Sequence, residues 1–242
     1  MKFVTMIIDD LVYKDSLYDK NSSALPMGIC EEFQNNIISL FGLSKSYSLS
    51  ALRTGFIVAN EYIIQDIRDN LFLELDSISM INQISLASVF NNQKKRIRYR
   101  GKFLKKINEK YMFNLEIVKY FIIGEKNVSR KTKRYIESKM TKENLNMCKN
   151  GIKNVNFYHD FLPESGFFAL IDFTKLKGKK IDGSIINNDR DLIISLFKKS
   201  KIKFLPGSSF GWQNDNEIIG RITFSQEPTI LIKNLSLLSK II

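Results

Sequence analysis

The chain has 242 residues, 44 % of them apolar and 26 % charged, a length and balance that suit one or two globular domains with a sizeable core. Two distant cysteines, Cys30 and Cys148, give no disulfide framework, and the single histidine, His159, has no Cys/His cluster beside it to support a zinc site or other metal centre. No apolar run reaches the roughly eighteen residues of a membrane span, and without a secretory apolar segment the expected setting is the reducing cytoplasm.

The first element is a strand through Ile7 and Ile8 that ends in Asp9 and Asp10, followed by Leu11, Val12 and Tyr13. An Asp pair after a strand is by itself an ordinary turn or helix start. Residues 37–43 and 55–59 are two further apolar stretches of strand length, both expected to be buried. The run that joins them, Gly42-Leu43-Ser44-Lys45-Ser46-Tyr47-Ser48-Leu49-Ser50-Ala51-Leu52-Arg53-Thr54-Gly55, places one lysine in a loop of small residues with an arginine eight positions on. In open α/β sheets such connections at strand ends hold ligands. Up to about residue 90 the pattern is strand, loop, helix, strand, lysine loop, strand and helix, which predicts an α/β layer on a largely parallel sheet.

Residues 91–150 are charged and carry Phe103, Ile107, Tyr111 and Leu115 at helical spacing, so this stretch reads as mainly helix. It holds the densest basic run, Lys94-Lys95-Arg96-Ile97-Arg98-Tyr99-Arg100, within a net charge of +12. Such a face could neutralise phosphates. The basic residues, however, spread around a helical projection and accompany no nucleic-acid fold motif, so no nucleic-acid role is expected. After residue 150 come an apolar strand at 166–173, a helix over 191–200, a strand around Ile222 and a final helix from Thr229. No internal repeat is present. The expected division is 1–90, 91–150 and 151–242.

Three of these segments together resemble the class I/II aminotransferases, the fold-type I pyridoxal-phosphate (PLP) enzymes. The run 42–55 is similar to the family's lysine motif. The resemblance implies that Lys45 forms the Schiff base with the cofactor aldehyde and that Arg53 and Ser44 bind its phosphate. A Schiff-base lysine must be available as a neutral amine, which burial and neighbouring positive charge favour, and a guanidinium offers a donor fork that fits a phosphate. Two departures stand out. Gly42 occupies a position that is often serine, and Thr54 one that is usually apolar.

The strand ending in Asp10-Leu11-Val12-Tyr13 resembles the family's Asp-x-x-Tyr segment. This implies Asp10 at the pyridine nitrogen, with Asp9 as rival, and Tyr13 at the ring hydroxyl oxygen. A carboxylate there keeps the ring protonated so that it can draw charge from the substrate. Near the end of the chain, Pro206-Gly207-Ser208-Ser209-Phe210 and Gly220-Arg221-Ile222-Thr223-Phe224 resemble the closing turn and strand of the family. They imply that Arg221 clamps the substrate carboxylate, a planar two-bond task suited to arginine.

The resemblance implies an N-terminally truncated, aspartate aminotransferase-like fold: part of the large PLP-binding domain, a helical connection, and a small C-terminal α+β domain. The implied function is transamination of an amino acid with a 2-oxo acid. Alternatives are an arginine-modifying PLP enzyme of the capreomycidine synthase or arginine oxidase type, and a non-catalytic remnant or partner subunit. Because the Asp-x-x-Tyr strand lies near Met1, the expected partners are a second copy in a homodimer or a complementing N-terminal fragment. Strands cut from a larger sheet would otherwise expose an apolar edge.

Overall fold

The structure, a computed structural model, describes residues 5–18, 25–47, 49–75, 79–91 and 93–242. They fall into two compact units, Met1–Asn108 and Glu109–Ile242.

The first unit is built on a three-stranded sheet in the order β1-β2-β3. β1 (Ile7–Asp10) runs parallel to β2 (Ile37–Gly42), with Ile7 opposite Ile37 and Asp10 opposite Leu40. The chain reaches β2 through 3-10 turns at Met27–Ile29 and Glu31–Asn36. After β2 come a single helical turn, α1 (Leu43–Ser46), and a 3-10 turn at Ser50–Leu52. Two such turns cannot carry the chain back across the sheet, so β3 (Gly55–Val58) returns antiparallel, with Gly55 opposite Gly42. The expected largely parallel sheet is therefore half parallel and half antiparallel.

Burial also differs from expectation along β3. Ile37 and Ser39 of β2 are buried, whereas all four residues of β3 are exposed, Val58 by 54 %. As an edge strand paired on one side only, β3 lacks the second neighbour that its apolar composition suggested. Phe56 instead stacks on Phe41, with ring centroids 4.7 Å apart. Two helices follow, α2 (Glu61–Leu75) and α3 (Met80–Phe90).

The long helix α4 (Gln93–Ile123) supplies residues to both units. The side chains of Lys94, Lys95, Arg96, Ile97 and Tyr99 in the basic run lie outside the described residues, as does Ser48 of the lysine loop. Gly124, at φ +93°, ends α4 in a conformation that side chains disfavour. Next come α5 (Arg130–Glu137) and α6 (Lys142–Cys148), capped by Ser129 and Thr141, whose hydroxyls accept from the Thr132 and Asn144 amides.

The second unit continues with β4 (Asn156–Phe157), β5 (Phe168–Asp172), the hairpin β6 (Lys180–Ile181) and β7 (Ser184–Ile185), α7 (Asp189–Ser200), β8 (Leu205–Pro206), β9 (Ile219–Thr223) and α8 (Pro228–Ile241). Strands β4-β5-β9-β8 form an antiparallel sheet. Its core takes Ile117 and Phe121 from α4, Ile171 from β5, Leu192 and Leu196 from α7, and Leu231, Ile232 and Leu235 from α8, all buried at helical or alternating spacing.

A buried polar tie closes this unit. Asn114, with no exposed surface, donates through Nδ2 to the carbonyls of Phe224 and Gln226, both at 2.7 Å. Asn114→Ala leaves two carbonyls without a donor and is expected to cost about 2–3 kcal/mol in urea unfolding. A cost below about 0.5 kcal/mol would show that water replaces the amide there.

Candidate active site

In the first unit the parallel pair β1 and β2 end at the same edge of the sheet, and β3 begins there because Gly55 faces Gly42. Asp10 is the last residue of β1, Tyr13 lies in the turn beyond it, Ser44 and Lys45 sit on α1 directly after β2, and Arg53 lies two residues before β3. The structure thus draws these five residues to one sheet edge from three stretches of chain, the place where α/β sheets bind ligands. Lys45 Nζ is 5.8 Å from the centre of the Tyr13 ring, within cation–π range, and both side chains are half-buried. The exposed Asp10 accepts through Oδ1 from the Val12 amide at 3.1 Å, which fixes the turn leading to Tyr13. Asp9 is engaged elsewhere, accepting through Oδ2 from the Met27 amide at 2.8 Å.

α1 is a four-residue helix and cannot persist on its own. Leu43, 2 % exposed, anchors its start. The Leu43 amide donates to the Thr54 carbonyl at 3.4 Å, and the Leu43 carbonyl accepts from the Tyr47 and Leu49 amides. Arg53 closes the loop at φ 49°, ψ 42°, a left-handed conformation that costs a non-glycine residue on the order of 1 kcal/mol. Its guanidinium is exposed and donates to the Ser50 carbonyl at 3.3 Å. Beside it Thr54 Oγ1 is buried and has no partner among the described residues. A Cβ added to Gly42 would lie 2.8 Å from Val12 Cγ2, so the space for the often-found serine is filled by a neighbouring side chain.

Four residues that sequence reasoning missed support this edge. Arg100, on α4, donates through Nη2 to Asp15 Oδ2 and through Nη1 to Tyr47 Oη at 3.1 Å, and its guanidinium lies 4.6 Å from the Tyr47 ring centre. Asn108 donates to the carbonyls of Asp15 and Leu17 at 3.2 and 3.0 Å. Burial pushes the Asp15 carboxyl up, but hydrogen bonds from Ser46 and Lys14 and the charges of Arg100 and Lys14 outweigh it and leave it below the usual carboxylate range. With its folded pKa depressed, Asp15 contributes stability above the ordinary carboxylate pKa, and that contribution is lost as pH falls through the lowered value. Asp15 and Arg100 are 85 positions apart, and no local pattern marks them.

Arg221 belongs to the second unit. It sits on β9 between β5 and β8, opposite Leu170 and Leu205. Its guanidinium carbon is 4.3 Å from the Phe168 ring centre and 5.6 Å from that of Phe210, and it makes no ion pair among the described residues. Stacked in this way, a guanidinium keeps N–H donors at its edge for a planar anion.

No protein-family model matches the chain. It is 21 % identical over 210 residues to a probable aspartate/prephenate aminotransferase of Rickettsia bellii (strain RML369-C), a match covering 86 % of this chain and 43 % of that protein. The crystal structure of the aspartate aminotransferase from Rhizobium meliloti superposes with a TM-score of 0.70 at 19 % identity, covering 98 % of this chain and 49 % of that one. The chain has the class I/II aminotransferase fold. A PLP-bound putative aminotransferase from Clostridium difficile 630 gives a TM-score of 0.61 at 18 % identity, covering 98 % of this chain and 49 % of that one. The chain spans about half the length of these relatives, in agreement with a C-terminal portion of the aminotransferase fold.

Proposed function

We propose that the chain is the lysine-bearing part of a PLP-dependent aminotransferase that exchanges an amino group between an amino acid and a 2-oxo acid. The observation that carries this reading is the gathering of Asp10, Tyr13, Ser44, Lys45 and Arg53 at one edge of the sheet. The donor set fits PLP: an amine for the aldehyde, a carboxylate for the ring nitrogen, a phenol for the ring oxygen, a guanidinium and a hydroxyl for the phosphate. The unpartnered Thr54 hydroxyl offers that edge a further polar group.

Bound there, PLP supplies the electron sink for charge leaving the substrate α-carbon. Lys45, on α1, would supply the amine that holds the cofactor aldehyde, and its Nζ would take and return the substrate's α-proton. Asp10 would keep a proton on the ring nitrogen, and Tyr13 would donate to the ring oxygen. Arg53 and Ser44 would hold the phosphate, with one donor fewer than a serine at position 42 would allow. Arg221 orients the substrate through its carboxylate.

The exposed β3, together with Ile8 at 65 % exposure, favours a covering polypeptide supplied by a second copy or a complementing fragment. No helix among the described residues is long and apolar enough to cross a membrane.

The test is to incubate the purified chain with PLP, reduce with borohydride and map the adduct by peptide mass spectrometry. The adduct is expected on the peptide containing Lys45. An adduct scattered over exposed lysines would overturn the reading. Product analysis with candidate amino acids, arginine among them, separates transamination from arginine modification.

A further inference from the structure

We propose that Asp15 and Arg100 are positioning residues for Lys45. The proposal rests on the reading of Lys45 as the reactive amine. Lys45 lies on a single helical turn held at its start by the buried Leu43 and the Thr54 carbonyl. Its far end is held by side chains. Asp15 takes a hydrogen bond from Ser46, and Arg100 donates to Tyr47 Oη while lying against the Tyr47 ring, so the two residues directly after Lys45 are both gripped.

The same pair ties this turn to the one after β1. Arg100 donates to Asp15, Asn108 donates to the Asp15 and Leu17 carbonyls, and the Ser16 amide donates to the Tyr13 carbonyl at 2.9 Å. Tyr13 and Lys45 therefore stand on two turns clasped together by α4. The pair is well sheltered, with side-chain exposures of 16 % for Asp15 and 28 % for Arg100, so its geometry is less open to solvent screening than that of a surface ion pair. A reactive amine gains from being held in place, because a displacement of about an ångström can cost on the order of a hundredfold in rate.

The experiment compares the wild-type chain with Asp15→Asn, Asp15→Glu, Arg100→Lys and Tyr47→Phe. The readout is the rate at which the borohydride-trapped PLP adduct appears at Lys45, relative to the exposed Lys198 and Lys199 of the second unit in the same sample. Asp15→Asn and Arg100→Lys should lower that ratio at least about tenfold. Asp15→Glu should recover part of it, which a purely structural loss would not predict. Tyr47→Phe removes only the hydroxyl that accepts from Arg100 and should lower the ratio to a smaller extent. It keeps the test alive if Asp15→Asn fails to fold, which a circular-dichroism melt would reveal. A wild-type ratio no higher than that of the surface lysines overturns the reading of Lys45 and the proposal with it. A high wild-type ratio retained in all folded variants overturns the clasp alone.

Discussion

Lys45→Ala is expected to remove the borohydride-stable PLP adduct from the peptide spanning residues 43–55 and to abolish any transamination by the assembled enzyme. The loss should be complete because the amine itself is removed, not merely misplaced. Folding should change little, by about 1 kcal/mol or less. Lys45 is half-buried, and α1 is anchored through Leu43, Ser46 and Tyr47. Lys45→Arg sharpens the test: it keeps a positive charge near the Tyr13 ring, but a guanidinium does not become a neutral nucleophile in a protein. Transamination surviving at the wild-type rate in either variant would assign the reaction to another amine.

Gly220→Ala should be a strongly damaging small substitution in the second unit. The added Cβ would lie 2.3 and 2.5 Å from two ring carbons of Phe204 and 2.9 Å from one of Phe173. Those rings stack with centroids 5.0 Å apart, Phe173 is fully buried and Phe204 nearly so, and neither can yield without opening the pair. Overpacking of this kind typically costs 1–3 kcal/mol, and losing the stacked geometry adds about 1 kcal/mol. Gly220 is the neighbour of Arg221 on β9, and successive residues of a strand face opposite sides. A strand pushed away from the phenylalanine pair carries Arg221 off its place beside Phe168 and Phe210. Denaturant unfolding measures the first effect, and the affinity of the assembled enzyme for a carboxylate substrate measures the second. An unchanged unfolding midpoint would show that the two rings move apart at little cost.

The residues proposed to carry the chemistry could be picked out along the chain. The lysine and arginine of the 42–55 run are separated by a fixed short spacing, and Tyr13 follows Asp10 by three positions, so linear order alone places them near strand ends. Strand direction at β3 was not legible, because apolar composition is the same for a parallel and an antiparallel neighbour. The exposure of Val58 shows the same limit: an apolar run suggests a buried strand, while edge position is decided by pairing. The contact between Arg100 and Asp15 depends on where α4 passes, which no window of sequence contains. The rings of Phe168 and Phe210 flank Arg221 only once the sheet order β5-β9-β8 is set. The boundary at Asn108 and Glu109 falls inside α4, where helical periodicity runs on and composition marks no break.

The contact between Gly42 and Val12 couples the two positions. Introducing serine at 42 first drives its Cβ into the Val12 methyls, so Gly42→Ser alone should cost about 1 kcal/mol or more. Val12→Ala alone opens a void at a half-buried site and should cost a similar amount. Together the two changes relieve each other, and the double variant should be more stable than the sum of the singles by a coupling of about 1 kcal/mol, read from a double-mutant cycle in urea. Position 42 can then gain a hydroxyl at little net expense only after position 12 has become smaller. The residue tolerated at position 42 therefore depends on the volume of the side chain at position 12.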